Sequence, residues 1–210
     1  MDKIVVVGGG GHAKVLISIL KKMKAYEIIG YTDIKNKGNI LDVSYLGNDD
    51  ILSELIKRQK HCSAAIGVGS VNLSEERKRI KNLVESLGFD LPAIVSPNAI
   101  LNEDVSIGKA TVVFDGVVVN SGTRIGECSI INTNSTVEHD CEIGDYVHIA
   151  PGATLSGGVK VGNNSFIGTG ANIIQSKSIC ENCFIGAGST VVENCLTRGT
   201  YAGIPAKKVK

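Results

Sequence analysis

The 210-residue chain contains no tryptophan, only four phenylalanines and five tyrosines, and four histidines. A core built on large aromatic anchors is therefore excluded. No apolar stretch approaches the roughly 20 residues that a membrane-spanning helix requires. The hydrophobic opening after Lys3 gives way to glycine too soon to resemble a secretory leader. Charge of one sign is missing as well: the formal net charge is +1 and the pI about 7.6, so no basic footprint marks a nucleic-acid or acidic-membrane partner. These absences lead us to expect a cytoplasmic protein whose six cysteines are thiols, not bridges. Glycine, by contrast, is abundant at 25 residues.

Its use becomes clear once the chain is searched for repeats. Every sixth residue from Val95 to Val191 is a branched aliphatic: Val95, Leu101, Ile107, Val113, Val119, Ile125, Ile131, Val137, Ile143, Ile149, Leu155, Val161, Ile167, Ile173, Ile179, Ile185 and Val191. Four residues after each stands a mostly small residue, such as Thr123, Ser129, Cys141, Ala153 and Ala171, and Lys177 alone breaks the rule. Glycine often follows the aliphatic directly, as in Ile107-Gly108, Ile143-Gly144 and Val161-Gly162.

A period of six suits neither an amphipathic helix nor a long alternating strand. It suits a solenoid of very short strands joined by tight turns, in which each hexad forms one flat side with its aliphatic and small residue facing inward. Burying each aliphatic stabilises by roughly 1.5–3 kcal/mol, enough to hold such a stack without aromatics. The residues between inward positions form solvent-facing corners. "VEHDCEIGDYVH", residues 137–148, places Glu138, His139 and Asp140 at one of them.

The first ninety residues keep another rhythm. "KIVVVGGGGHAKVLISILKKM" reads as a buried strand, a glycine turn and a helix, and "YEIIGYTD" as a second strand ending at Asp33. "NDDILSELIKRQK" opens like an N-capped helix, "CSAAIGVGS" is a third strand, and "SEERKRIKNLVESLG" is a capped helix ending at Gly88. Alternating strands and helices imply a small parallel α/β unit. Gly8-x-Gly10-x-x-Ala13, followed by Asp33, fits the dinucleotide fingerprint. A dehydrogenase is excluded by size, since only half of a doubly wound fold fits before residue 95. Two readings stay open for these glycines: a phosphate cradle at a helix N-terminus, or a plain strand-to-helix turn.

The "GGGGHAK" opening, "AIGVGS", the hexads and the "GTYAGIPAKKVK" tail together resemble the bacterial hexapeptide-repeat sugar acyltransferases. That family includes sialic acid O-acetyltransferases and the UDP-4-amino-sugar N-acetyltransferase of bacillosamine synthesis. The resemblance covers essentially the whole chain. It implies an α/β Rossmann-like half-domain over 1–92 that binds a nucleotide sugar, a left-handed parallel β-helix over 93–198 with three hexads per coil, and a tail over 199–210 that helps hold coenzyme A. It also implies a homotrimer with active sites between subunits, serving polysaccharide biosynthesis.

Carried over residue by residue, the resemblance makes His139 the general base and Asp140 its acidic partner, a shorter arm than the glutamate of the N-acetyltransferase relative. His148, outward-pointing in the hexad phase, would contact acetyl-CoA. Thr169 and Ala187 would receive its pantetheine arm, and Lys207 and Lys208 would meet its phosphates. Gly10, Gly11, His12, Asp33 and Gly67 match nucleotide-sugar contacts, though Asp33 lacks the second acid of the relative, and Asn132 would help orient the site.

A zinc site needs a third histidine beside His139 and His148, and the hexads supply none. "CENC", Cys180–Cys183, resembles a chelating pair, but hexad phase turns Cys183 inward and Cys180 outward, so divergent thiols and no metal are expected. Phe166 and Phe184 are expected at corners. The leading reading is an acetyl-CoA-dependent N-acetyltransferase acting on a nucleotide-linked 4-amino-deoxy sugar. An O-acetyltransferase of sialic acid or a related sugar and a non-catalytic β-helix are the alternatives.

Overall fold

The computed structural model describes residues 1–59, 61–70 and 75–210, which form two compact units. The first runs to Pro97, a few residues beyond the boundary expected at 92. It contains β1 (Asp2–Val7), α1 (Gly11–Met23), β2 (Tyr26–Thr32), β3 (Tyr45–Gly47), α2 (Leu52–Gln59), β4 (Ser63–Ile66) and α3 (Glu75–Ser86). The strands pair in parallel in the order β3-β2-β1-β4. Ile4 to Val7 of central β1 are fully buried, as continuous apolar runs are when both sheet faces are covered.

Helix α1 buries Ala13, Leu16, Ile17, Ile19 and Leu20 and ends at Lys24 in the left-handed region. The expected cap before α2 is Asn48, whose side-chain oxygen accepts from the Asp50 N–H at 3.2 Å and leads a 3-10 turn into the helix. Lys60 and the expected cap Ser74 lie outside the described residues. Strand β3 is an addition to the three expected strands. At three half-buried residues it has no hydrophobic run to announce it.

The second unit is a parallel β-helix. Two-residue strands stack on strands eighteen residues away, as in Thr136–Val137 on Thr154–Leu155, Glu142–Ile143 on Lys160–Val161 and His148–Ile149 on Phe166–Ile167. These columns make three flat sheets. From Val113 to Val191 every sixth-residue aliphatic is buried. The tail continues one sheet: Gly199–Gly203 pairs in parallel with Cys183–Ile185, then antiparallel with Ala206–Lys208.

Inward hydroxyls bind the coils together. Thr111, Thr123, Ser129 and Ser165 each donate to a carbonyl fifteen residues on and accept an N–H eighteen residues on. Each buried hydroxyl is thereby satisfied by backbone that the turns would otherwise leave unpaired.

The turns follow one rule. The third residue after each aliphatic has positive φ, from Asp104 through Asp140 to Gly188, and glycine, asparagine or aspartate fills most of these positions because they tolerate the left-handed region. Glycines directly after an aliphatic serve another purpose. A Cβ on Gly126 or Gly144 would stand 2.3 Å from an oxygen in the next coil.

Three expectations are corrected here. His148 occupies an outward strand position yet is buried, with 8% exposure, because Phe166 in the next coil meets its ring edge-on at 4.9 Å. Phe166 and Phe184 lie on strands, not at corners, and stack at 4.7 Å. The thiols of Cys180 and Cys183 converge to 3.2 Å, since left-handed Asn182 between them folds the turn back on itself and defeats a simple inward-outward alternation.

Candidate active site

The corner that follows Thr136–Val137 carries the chemistry. Glu138 is fixed at its backbone from both sides: its N–H donates to Leu155 O at 2.9 Å, and its carbonyl accepts the Thr123 hydroxyl at 2.7 Å. Its carboxylate accepts from Asn120 Nδ2 at 2.8 Å. Asp140 closes the turn with φ +57°, which directs its side chain back over the chain. The result is a contact of 2.8 Å between His139 Nδ1 and Asp140 Oδ2, with the two side chains 64% and 74% exposed. A carboxylate at Nδ1 selects the tautomer whose Nδ1 carries hydrogen and whose Nε2 lone pair is available.

Stacking then shapes the surroundings of that pair. Ser121, His139, Gly157 and Gln175 follow one another at eighteen-residue intervals up this corner. A Cβ on Gly157 would lie 2.5 Å from His139 Nε2, and one on Gly122 2.7 Å from Asp140 Oδ1. Both clearances escaped the sequence reading, although the eighteen-residue coil already places Gly157 above His139.

A different corner brings Asn132, expected to orient the site, together with residues expected to meet acetyl-CoA. Asn132, in the turn after Ile130–Ile131, has its Nδ2 3.0 Å from His148 Nε2, while its Oδ1 accepts from Thr133 N at 2.8 Å. With the amide so oriented, Nε2 of His148 is the acceptor. Thr169 and Ala187 are exposed further up the same column, where the Thr169 carbonyl accepts from Gly188 N at 2.8 Å. Gly168 lets the Ala187 amide nitrogen approach to 2.6 Å of where a Cβ would be.

The tail lysines are engaged locally: Lys207 Nζ pairs with Glu193 at 3.2 Å and Lys208 Nζ donates to Thr197 Oγ1 at 3.2 Å. Arg198 and Lys210, which the sequence reading passed over, instead line a cavity of about 560 Å³ with Phe166 and Phe184.

In the α/β unit, Gly10 and Gly11 open α1, and a Cβ on either would meet nothing within 4 Å. They line a cavity of about 350 Å³ with Gly9, Lys14, Lys37 and Ile40; the two lysines are further additions. Asp33 does not point freely into it. Its Oδ2 accepts from Gly9 N at 2.8 Å and from Lys37 Nζ at 3.0 Å, and its Oδ1 from Lys35 N at 3.1 Å. Partial burial pushes this carboxyl upward, but the Lys35, Lys37 and Gly9 donors together hold it below the usual carboxylate range. Gly67 is a packing position, where a Cβ would strike Gly8 O at 2.8 Å. His12 stands in the first turn of α1 beside Gly69, where a Cβ would sit 3.4 Å from its own Cβ. Among the described residues no group of three or more histidine, cysteine or acidic side chains could hold a metal ion, and no helix is long and apolar enough to cross a membrane.

Comparison with known proteins places this geometry in a lineage. The model of the PglD N-terminal domain matches residues 3–81, and that of the bacterial transferase hexapeptide (six repeats) matches 122–157 and 140–175. No curated protein sequence matches significantly. The acetyltransferase domain of PglB from Neisseria gonorrhoeae is 32% identical with a TM-score of 0.92, covering 100% of both chains. The same domain has been solved in complex with acetyl coenzyme A, at 33% identity, a TM-score of 0.92, and coverage of 99% of this chain and 98% of that one. PerB from Caulobacter crescentus, in complex with CoA and GDP-perosamine, is 32% identical with a TM-score of 0.90, covering 100% of this chain and 98% of its own. That perosamine N-acetyltransferase is also known as variants with a histidine replaced by asparagine or alanine. By this identity over its whole length, the chain belongs to the bacterial hexapeptide-repeat sugar acyltransferases.

Proposed function

We propose that the protein transfers an acetyl group from acetyl-CoA to the amino group of a nucleotide-linked 4-amino-deoxy sugar, with His139 as general base. The 2.8 Å contact of His139 Nδ1 with Asp140 Oδ2 carries this reading. It leaves Nε2 free to take a proton from the amine as nitrogen attacks the thioester carbonyl. The new C–N bond forms, the C–S bond breaks, and the thiolate of coenzyme A departs. Asp140 stabilises the imidazolium that results.

Support for the ligands comes from the relatives, of which one was solved with acetyl coenzyme A and another with CoA and GDP-perosamine. Open glycines at the start of α1, with Lys14 of that helix and Lys37 of the loop after β2 lining the same cavity, suit the phosphates of a nucleotide sugar; Gly10, Gly11 and His12 would meet it, with Gly67 and Asp33 shaping the pocket from beneath. His148, Thr169 and Ala187 would line the path of acetyl-CoA, with Lys207 and Lys208 near its phosphates, and Asn132, in contact with His148, would help orient the site. His148, Thr169 and Ala187 lie along one edge of the β-helix and His139 along another, and in this proposal a complete site draws these two edges from neighbouring protomers. A homotrimer acting in the cytoplasm, in polysaccharide biosynthesis, fits this division.

The test is thiol release from acetyl-CoA with a panel of nucleotide-linked amino sugars and with sialic acid. Release with a 4-amino-deoxy sugar, lost in His139→Asn, is expected. Release with sialic acid and with no amine would replace the proposal by O-acetylation.

A further inference from the structure

Three of the six cysteines meet in the last coil, and none of them has a role in the reading above. Cys180 Sγ lies 3.2 Å from Cys183 Sγ, and Cys195 sits on the adjoining strand edge, its carbonyl accepting from Cys180 N at 2.9 Å. The separation itself is informative. It exceeds a disulfide bond, about 2.05 Å. The pair is therefore a contacting dithiol.

The two thiols are unequal. Cys183 is buried, its Sγ 3.6 Å from Thr197 O. Burial first, then the hydrogen bond and charge of Cys180, push its thiol up to about 12. Burial likewise pushes Cys195 up to about 11. Cys180 is half-exposed at the corner. An oxidant reaches Cys180 first, while Cys183, protonated and unreactive by itself at neutral pH, waits in contact.

We propose that Cys180 and Cys183 form a modification site, a dithiol that closes to an intramolecular disulfide when a peroxide meets Cys180. The Cys180 sulfur attacks one peroxide oxygen, the O–O bond breaks, and water leaves a sulfenic acid. The Cys183 sulfur then attacks the Cys180 sulfur; the S–S bond forms, the S–O bond breaks, and a second water leaves with the thiol proton of Cys183. Two thiols lose two electrons and two protons, and one peroxide becomes two waters. Closure draws Cys183 Sγ away from the Thr197 carbonyl, beside the strand on which the tail is built.

The experiment treats the native full-length protein with a few equivalents of hydrogen peroxide, blocks remaining thiols by alkylation, and cleaves after glutamate, which severs the chain at Glu181 and at Glu193. Two fewer of the six thiols should alkylate, and the peptides carrying Cys180 and Cys183 should remain joined until reduction. In Cys183→Ser, Cys180 should persist as a sulfenic acid that a dimedone reagent captures. Should that variant fail to fold, Cys180→Ser, at a half-exposed position, should abolish the joined peptides. Cys195→Ser should leave them intact. Joined peptides linking Cys180 to Cys195, over-oxidation of Cys180 with Cys183 still alkylatable, or no change in thiol count would each overturn the proposal.

Discussion

The imidazole of His139 lies over Gly157 of the next coil, so close that a Cβ there would stand 2.5 Å from its Nε2. Gly157 has no positive φ, so alanine fits its backbone without strain. Gly157→Ala should therefore displace the imidazole without unfolding the coil. A displacement near 1 Å at a reacting group costs about 10²-fold in rate. We expect a fall in kcat of about that size with an unchanged melting temperature; a kcat near wild type would show that the ring adapts.

His139→Asn should lower kcat by about 10²–10⁴, the usual contribution of positioned proton transfer. Because the side chain is 64% exposed, thermal denaturation should shift by less than surface substitutions commonly allow, about 0.5 kcal/mol. Asp140→Asn is the more discriminating variant. Asparagine tolerates the φ of +57° as well as aspartate does, so the turn survives while the acceptor charge at Nδ1 is lost. Steady-state kinetics should show a lower kcat with little change in KM for acetyl-CoA.

Thr123→Val tests how the corner is held. Its hydroxyl donates to Glu138 O at 2.7 Å and accepts from Cys141 N at 3.1 Å, all within the buried wall. Valine preserves the shape but leaves Cys141 N–H without that acceptor, a cost of about 1–3 kcal/mol. Denaturant unfolding should report that loss, and Thr123→Ser should recover most of it.

What could be read before any coordinates was whatever depended on burial alone. The six-residue phase names the inward aliphatics, and from Val113 to Val191 each is buried. Corner residues such as His139 and Asp140 follow directly from that phase. The same phase failed where backbone handedness intervenes: Cys180 and Cys183 converge because Asn182 adopts φ +57°. It also failed where the neighbouring coil decides exposure, as it does for His148 against Phe166. Yet the left-handed positions were written in the chain, at Gly116, Gly122, Asn134, Gly152, Gly158 and Asn164. In the α/β unit, the Gly8–Ala13 pattern located the turn, but the engagement of Asp33 by Gly9, Lys35 and Lys37 depends on a loop that carries no periodicity.

That engagement yields a pH dependence of defined sign. The Asp33 carboxyl titrates below its ordinary value in the folded protein because donors from Lys35, Lys37 and Gly9 outweigh the upward push of burial. The unfolded chain therefore binds a proton here more readily than the folded one. Stability from this group is fully present above the unfolded carboxylate range, near pH 4, and is lost as pH falls through the lower folded value. Asp33→Asn should flatten that part of the stability profile and lower stability at pH 7, while leaving the profile above pH 6 parallel to wild type. The same variant removes the charge that pairs with Lys37 beside the glycine turn, so KM for the nucleotide sugar should change while KM for acetyl-CoA does not. Urea unfolding between pH 3 and pH 7 measures the first effect. An acid limb as steep in Asp33→Asn as in wild type would mean that another carboxylate governs it.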